Sequence, residues 1–340
     1  MSIRKSAISI ALFLIISIGA YTGYWFYARE LAAAIIDDWT TQQRAEGYEV
    51  TYSAPVFSGY PLLIRAVLDQ PSVKRDNFTW RGERLSIESQ PWNYRRIRLD
   101  IQGKQWVTLA HDLQSFVLTS AKAAIVAKLS SVGSIAEASI LFRDLSIAQA
   151  DNAAISKVAE LWLEAVAPTN TPQTHTDNNL SLSLSAVDIV LPDTVAGPFG
   201  QDISKLRADV KIKGAIPNIA LNEALEAWRR SGGTLDVDWF HIIWGTFDLR
   251  AKGTVALDDQ ARPLGAFSTD IRGHSQALDA LVSHAVLKPK TATLAKIGLS
   301  LLAKTPPEGG TPVLTLPVTA QDGHLYAGPI KIFELPSLRF

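Results

Sequence analysis

Apolar side chains run almost without interruption from Ala7 to about Ala28, between the basic pair Arg4-Lys5 and the charged pair Arg29-Glu30. About 20 helical residues are enough to cross the hydrocarbon core of a bilayer. Residues 7–28 are therefore predicted to form a single transmembrane anchor that follows residues 1–6. The sequence after this run shows no comparable stretch, so one crossing is expected.

Two other interpretations of this run are a cleavable signal peptide and a buried core helix. A signal peptide has a basic start, a short apolar core and a cleavage site of small residues, which Ser17 and Gly19 would offer. After Gly19, however, the chain stays apolar and becomes aromatic at Tyr21, Tyr24, Trp25, Phe26 and Tyr27. Such side chains are typical of the membrane–water interface, which favours an uncleaved anchor.

The charges beside the anchor predict its orientation. Basic residues next to a span remain on the cytoplasmic side, so Arg4 and Lys5 place the N-terminus there. The chain from about Arg29 onward is then expected outside the cytoplasm. In a bacterium this means a single-pass inner-membrane protein with a periplasmic body.

After the anchor the pattern changes from a helical period to strict alternation. Ala32, Ile35, Ile36 and Trp39 recur at helical spacing and predict that the helix continues to about Gln43, before Gly47. Short alternating segments separated by Gly, Pro, Asn or Asp then predict an antiparallel meander with one buried face. These segments include Leu62–Leu68, Leu85–Ile87, Ile97–Ile101, Trp106–Leu109, Phe116–Thr119 and Ile140–Ile147.

Three later stretches of the first half are harder to interpret. Residues 121–129 fit a strand or a helix equally well. Residues 153–166 are predicted to be helical because Ile155, Val158, Trp162 and Val166 fall on one side. Residues 168–179, rich in Thr, Asn and Pro, predict an exposed linker between a first β-rich segment at 29–167 and a second at 180–340.

Alternation is clearest in the second half. Leu180, Leu182 and Leu184 alternate with serines, and the phase then slips by one residue, which predicts a bulge near Ala186. Strands are also expected at Leu206–Ile212, Thr234–Ile243, Thr246–Leu257, Leu264–Gly273, Val313–Thr319, His324–Tyr326 and Pro329–Phe333. Helices are expected at Leu221–Arg230, ended by Gly232-Gly233, at Ser275–Val286 with Ser275 as cap and Leu278, Leu281, Val282 and Ala285 inward, and at about Thr291–Ala303. The expected fold class is α+β: an N-terminal transmembrane helix, then an extended, groove-like antiparallel sheet with a few packing helices.

Composition narrows the range of functions. The chain has 340 residues, 33 basic and 33 acidic, with a formal net charge of zero. Nucleic-acid binders usually show a basic excess, so no nucleic-acid partner is expected. The chain has no cysteine, which excludes disulfides and thiol chemistry.

The sequence offers little sign of a reaction. None of the six histidines, which include His111 and His274, forms the i, i+4 pair of a zinc protease. Asp236, Asp238 and His241 are close in sequence, but on a regular strand the two aspartates share one face and His241 lies on the other. No Gly-x-Ser-x-Gly motif is present. No catalytic, cofactor-binding or metal-binding residue is therefore predicted, and no cofactor.

Aromatic residues give two further hypotheses. Trp92, Tyr94, Arg95, Arg96 and Arg98 combine rings with cations, which suits either an alternating solvated strand face or contact with anionic headgroups or sugar phosphates. The tryptophans Trp80, Trp92, Trp106, Trp239 and Trp244 lie in strand-like segments. They are expected to pack the core, or alternatively to line an apolar groove that holds an acyl chain or glycan.

Several turns and strand segments carry a family resemblance. These are Phe57-Ser58-Gly59-Tyr60-Pro61, Pro91-Trp92, the stretch from Gly233 to Thr246, Ala251–Asp258, Arg262–Gly265, Ile271–Gly273, Asp322-Gly323 and Gly328-Pro329. The chain resembles the bacterial domain-of-unknown-function family 2125 (DUF2125) over nearly all of its length after the anchor. That resemblance implies a membrane-anchored envelope protein and no particular reaction. A looser resemblance to AsmA-like envelope proteins, some of which are thought to move phospholipid along an apolar β-groove, is an analogy of fold.

Three functions follow as hypotheses. The first is a non-enzymatic envelope protein that binds or guides lipid, with the membrane and a phospholipid or lipid-like molecule as partners. The second is a scaffold or interaction module with an unidentified protein partner. A periplasmic hydrolase is the third.

Overall fold

A long apolar helix is followed by many antiparallel strands and a few short helices in the computed structural model, so the fold class is α+β as predicted. The structure describes residues 2–76, 78–109, 114–150, 155–217, 219, 221–305, 310–328 and 330–338. The chain divides into two compact units. The first comprises Met1–Ser134 and Ala148–Asn152, and the second comprises Ile135–Ile147 and Ala153–Phe340.

Helix α1 covers Ser2–Ala45 without a break, as predicted for residues 30–43. Its C-terminal half packs on the first strands of the same unit. The side chain of Thr40 is 1% exposed, donates to the carbonyl of Ile36 and lies 3.0 Å from the hydroxyl of Tyr52. Gly47 has a φ of 88°, a conformation that glycine adopts without steric cost, and turns the chain from the helix into the sheet.

The first unit contains eight strands within the described residues. They are β1 (Glu49–Thr51), β2 (Val56–Ser58), β3 (Ile64–Asp69), β4 (Ser72–Arg75), β5 (Phe78–Gln90), β6 (Asn93–Leu109), β7 (Gln114–Thr119) and β8 (Lys122–Leu129). The two long strands β5 and β6 pair with each other. Strands β3 and β4 pair with successive parts of β5, and β8 and β7 with successive parts of β6. Residues 121–129, open from sequence, thus form a strand.

The second unit is a meander in which each strand from β10 onward pairs antiparallel with the next. Its elements are β9 (Ile135–Gln149, of which the last two residues belong to the first unit), β10 (Ile155–Val166), β11 (Asn178–Val190), β12 (Asp202–Lys213), α2 (Leu221–Arg230), β13 (Thr234–Trp244), β14 (Phe247–Leu257), β15 (Pro263–Arg272), α3 (His274–Ser283), α4 (Pro289–Leu302), β16 (Leu314–Gln321), β17 (His324–Ala327) and β18 (Ile330–Glu334). The predicted linker at 168–179 lies inside this unit. There Asp177 accepts backbone hydrogen bonds from Gln173 and Thr174.

The helix predicted at 153–166 is wrong, because the described part of this segment is strand β10; Ala153 and Ala154 lie outside the described residues. Its backbone pairs with β11 from Lys157 opposite Val190 to Val166 opposite Ser181. The apolar run Leu161-Trp162-Leu163 supplies side chains to both faces of a strand. Spacing of apolar residues alone cannot separate such a strand from a helix.

The register of β11 does not show the bulge predicted near Ala186. Its pairings with β10 and β12 keep the same register on either side of Asp188, whose φ is 50°. The recorded shift in the register of β11 against β12 lies between Asn178 and Leu180. The change of apolar phase in the sequence was therefore not a reliable sign of a bulge at this position.

The helices of the second unit agree with prediction except in their caps. In α2 the indole of Trp228 is buried and donates to the carbonyl of Lys213 at 2.6 Å. Helix α3 begins at His274 with Gly273 as its N-cap, and no side chain caps it, so Ser275 is not the cap. Ala285, predicted to face inward, is exposed with a φ of 58°.

Candidate functional site

The second unit contains an apolar cavity of about 750 Å³ between one face of its sheet and the helices α3 and α4. Ligand-binding cavities commonly have volumes of roughly 300–1,000 Å³. Strands β13 to β18 and both helices contribute to the lining. The lining side chains are Phe199, Val237, Phe240, Phe247, Leu249, Ala251, Phe267, Thr269, Ile271, His274, Ala277, Leu278, Leu281, Val286, Leu287, Ala295, Leu299, Leu314, Leu316, Val318, Leu325, Ala327, Lys331 and Ile332.

Strand register builds the floor of this cavity in rows. Leu249 pairs with Ile271, and Ile271 pairs with Leu314. One step along the sheet, Ala251, Thr269 and Leu316 form the next row. Because alternate residues of a strand share a face, three alternate residues from each of β14 (247–251), β15 (267–271) and β16 (314–318) line the cavity. The alternation that sequence analysis found in these strands therefore describes the floor of a site.

The two helices form the other wall. Gly273, with a φ of 71°, turns the chain from β15 directly into α3. Leu278 and Leu281 of α3 then face the cavity, as predicted. In α4, Ala295 and Leu299 are four residues apart and so share the face that lines it.

Three of the described side chains that line the cavity are polar, and they differ in their hydrogen-bond and ion-pair partners. The Thr269 hydroxyl donates to the carbonyl of Leu316 at 2.8 Å. Lys331 lies at the margin, where its ammonium is 3.5 Å from Glu334. The Nδ1 atom of His274 is buried and has no hydrogen-bond partner among the described residues.

Among the described polar side chains of this lining, His274 is the one with a buried atom that lacks a hydrogen-bond partner. Desolvation lowers the pKa of its imidazole, because burial disfavours the charged form. A neutral imidazole can donate or accept one hydrogen bond at Nδ1, depending on its tautomer. The arrangement can thus hold an apolar chain and contact one polar group of the same molecule.

Within the part of the chain that the structure describes, no serine, aspartate or glutamate lines the cavity beside His274. The described side chains around this imidazole are instead mostly apolar.

The aromatic side chains of the cavity are phenylalanines. Phe199 and Phe247 stack with ring centroids 4.9 Å apart. Trp244 packs edge-on against Phe199 and donates to the carbonyl of Gly200, outside the lining. The hypothesis that tryptophans line a groove is therefore not supported for the described lining residues. Phe240, Phe247 and Phe267, one on each of the strands β13, β14 and β15, were the signal that sequence analysis passed over.

The opposite face of this sheet is charged. His241 is 6% exposed, and its Nε2 lies 2.9 Å from Asp248, which is also 3.5 Å from Arg272. Lys213 and Lys211 pair with Asp236 and Asp238. The hydrogen bond from Lys213 lowers the pKa of Asp236.

The predicted placement of His241 is wrong. The pairing of β13 with β14 shifts between Val237 and Phe240, and this irregularity flips the alternation. Asp236 hydrogen-bonds with Thr254 on the charged face, while Phe240 lines the cavity and His241 returns to the charged face. These ion pairs are typical of an ordinary polar strand face. Among the residues that the structure describes, which leave out His111, no group of three His, Asp or Glu side chains could hold a metal ion.

In the first unit, the aromatic residues at the end of the apolar run contact the body. The indole of Trp25 is 4% exposed and donates to the carbonyl of Leu63 at 2.9 Å. The hydroxyl of Tyr24 donates to the carbonyl of Pro91 at 2.7 Å. Prediction assigned these rings to the membrane interface, and Trp25 instead anchors the helix to the sheet.

The segment Ile8–Ala45 is a candidate membrane span by length and composition. A model of the DUF2125 family, described as an uncharacterized protein conserved in bacteria, matches residues 25–336. A search of curated proteins and a search of solved structures each found no match. The match covers nearly the whole chain after the first 24 residues, including the cavity and both turns that hold Trp25 and Tyr24. The chain belongs to the DUF2125 family.

Proposed function

We propose that this protein is a membrane-anchored, non-enzymatic binding protein whose second unit holds the acyl chain of a lipid or lipid-like molecule. The observation that carries the proposal is the continuous apolar lining of the cavity, in which the Nδ1 atom of His274 is the one buried polar atom without a partner among the described residues. An apolar ligand would fill the space, and its polar end would reach the imidazole.

The size of the cavity fits a moderate affinity for one chain. Burying roughly 14 methylene groups stabilises a complex by about 11 kcal/mol, at about 0.8 kcal/mol each. Association opposes this by at least about 4 kcal/mol. The remainder of about 7 kcal/mol corresponds to a dissociation constant near 10 µM or weaker. Such exchangeable binding suits a protein that receives and passes on a lipid.

The anchor gives the proposal its location. We infer an inner-membrane protein with a cytoplasmic N-terminus and a periplasmic body, from Arg4 and Lys5 before the apolar run. The looser AsmA-like resemblance agrees with lipid handling as an analogy of fold.

A matched pair of variants tests the binding. Ala251 lines the cavity, and the next residue, Lys252, is exposed on the charged face. Membranes that contain the full-length protein would be illuminated with diazirine-bearing palmitic acid, and the adducts would be mapped by peptide mass spectrometry. We expect adducts on residues 237–332 in the unaltered protein and in Lys252→Phe, and their loss in Ala251→Phe, where the ring fills the cavity. Equal labelling of both variants, or labelling that excess unlabelled palmitate does not reduce, would contradict the proposal.

The outer face of α4 favours a second candidate function, an interaction module for another envelope protein. Leu294, Ile297 and Leu301 lie on this face at spacings of three and four, with exposed fractions of 72%, 59% and 82%. Exposed apolar patches of this kind mark contact surfaces. A photo-crosslinker at position 301 would capture a protein of defined mass in cells if this function holds. Leu294→Gln would then reduce that crosslink and leave palmitate labelling unchanged.

A further inference from the structure

Two turns of the first unit contact the same short part of helix α1, residues 22–25. The turn at residues 59–63 contacts Thr22, whose hydroxyl lies 2.8 Å from that of Tyr60, and Trp25, which donates to Leu63. The turn at Pro91-Trp92 accepts the hydrogen bond from Tyr24. Both turns are therefore fixed to residues 22–25 of the helix.

Residues 22–25 of the helix lie at one end of a stretch that is long enough to span a membrane. The candidate span begins at Ile8, and the 18 residues from Ile8 to Trp25 extend about 27 Å at about 1.5 Å per residue. The hydrocarbon core of a bilayer is about 30 Å thick. A bilayer that covers the exposed side chains of Ile8–Ile18 thus ends at the two turns.

The turns expose large side chains at that level. Tyr60 is 48% exposed, Leu62 63%, Trp92 57% and Tyr94 65%. Tyrosine and tryptophan combine an apolar ring with a polar end, which suits the headgroup layer. In water the same four side chains would form an exposed apolar patch.

Cations accompany these rings. Arg95 and Arg96 are exposed, and the guanidinium of Arg95 lies 5.9 Å from the ring centroid of Tyr94. The sequence contains no acidic residue from Ser89 to Leu99. Basic side chains beside a membrane surface are attracted to anionic lipids. The charge of this strand end is therefore complementary to an anionic headgroup layer.

We propose that the turn rim, defined as Tyr60, Leu62, Trp92, Tyr94, Arg95 and Arg96, is embedded in the headgroup layer of the bilayer that α1 crosses. The first unit then rests on the membrane surface at two turns as well as at its helix. The proposal concerns the first unit alone and does not depend on ligand binding in the second.

Single-cysteine spin labels test this placement, because the natural chain has no cysteine. Asn93→Cys places a nitroxide between Trp92 and Tyr94, and Lys104→Cys places one on an exposed residue of the same strand β6. The two positions are roughly 35 Å apart along the strand. The full chain would be reconstituted in phosphatidylethanolamine vesicles containing phosphatidylglycerol, and collisions with oxygen and with an aqueous nickel chelate would be measured.

The proposal predicts an oxygen-to-nickel collision ratio several-fold higher at position 93 than at position 104. Substituting glutamine for both Arg95 and Arg96 should reduce that ratio at position 93, and circular dichroism would verify that each variant folds. Equal ratios at the two positions would overturn the proposal. Protection of position 93 in native membranes but not in protein-free lipid would also overturn it, since a protein partner would then cover the rim.

Discussion

The indole of Trp25 donates a hydrogen bond to the carbonyl oxygen of Leu63 at 2.9 Å, and so joins the apolar helix to a turn of the first sheet 38 residues later. The ring also packs edge-on against Tyr60, with centroids 5.5 Å apart. The Phe-Ser-Gly-Tyr-Pro turn, which carried part of the family resemblance, thus packs against the helix. Its Tyr60 contacts both Trp25 and Thr22 of the helix.

Two substitutions of Trp25 measure separately how much its hydrogen bond and its packing contribute to stability. Trp25→Phe should lower the free energy of unfolding by about 1 kcal/mol, because the carbonyl of Leu63 loses its donor. Trp25→Ala should lower it by roughly 3–5 kcal/mol, because a buried aromatic ring is removed. Thermal unfolding of the full chain in detergent, followed by circular dichroism, measures both. Trp39, half exposed on the same helix, provides the control Trp39→Phe; an equal loss there would contradict the assigned role of Trp25.

His274 should make stability depend on pH. Desolvation lowers the pKa of its imidazole below the ordinary value of 6.5, so the folded state resists protonation while the unfolded state accepts it. Stability should therefore be full above pH 6.5 and decrease as the pH falls through 6.5 towards the lowered folded pKa.

Unfolding midpoints between pH 5 and 8 test this dependence. We expect the His274→Gln variant to lose less stability on acidification than the natural chain. His284→Gln, at an exposed position of the α3 terminus, should behave like the natural chain. A natural chain and a His274→Gln variant with parallel pH profiles would refute the assignment.

Glu226 should stabilise helix α2 through its two arginines. Arg229 and Arg230 donate hydrogen bonds to this carboxylate, and Arg229 also reaches Asp259 in the β14–β15 hairpin. The hydrogen bond from Arg229 is the main cause that lowers the pKa of Glu226 to about 2.

Because the folded pKa of Glu226 is lowered, its contribution is present above the ordinary pKa of 4.5 and is lost as the pH falls towards 2. Glu226→Gln should therefore be less stable than the natural chain at pH 7 and nearly equal to it near pH 2, measured by urea unfolding. Glu223→Gln, on the first turn of the same helix, is the matched control. A difference between Glu226→Gln and the natural chain that does not change with pH would contradict the mechanism.

The orientation of the anchor is testable with two cysteine variants. Ser6→Cys precedes the apolar run, and Asp259→Cys lies at an exposed hairpin tip of the second unit. In intact spheroplasts a membrane-impermeant maleimide should label position 259 and leave position 6 unlabelled until the cells are lysed. Labelling of position 6 alone in intact spheroplasts would show that the topology is opposite to the one proposed.

Strand alternation was the part of the sequence that best predicted the structure. In β12 the alternation of Leu206, Ala208, Val210 and Ile212 with charged residues specified both the strand and its two faces. In β10 it failed, because a run of consecutive apolar residues satisfies a helix and a strand equally. The face of His241 was also wrong, since the irregularity after Val237 has no sequence signature.

The cavity could not be predicted from the sequence, for a different reason. Helix α4 is apolar on two sides: Leu299 lines the cavity, and Leu301 is exposed. Periodicity indicates that such a helix is buried or lies against an apolar surface, but not that it leaves space above a sheet. Likewise, nothing near His274 in sequence indicates that its Nδ1 lacks a partner, because that depends on the strands and helices around it.

Native mass spectrometry of the full-length protein, purified from membranes in detergent, tests the central claim most directly. With phospholipid added above the expected dissociation constant of about 10 µM, we predict that the natural chain and Lys252→Phe carry one bound lipid when gentle collisional activation has removed the detergent. Ala251→Phe should release lipid-free protein under the same activation. Retention of the same lipid by Ala251→Phe, or a lipid-free natural chain, would contradict the account of a lipid-binding cavity.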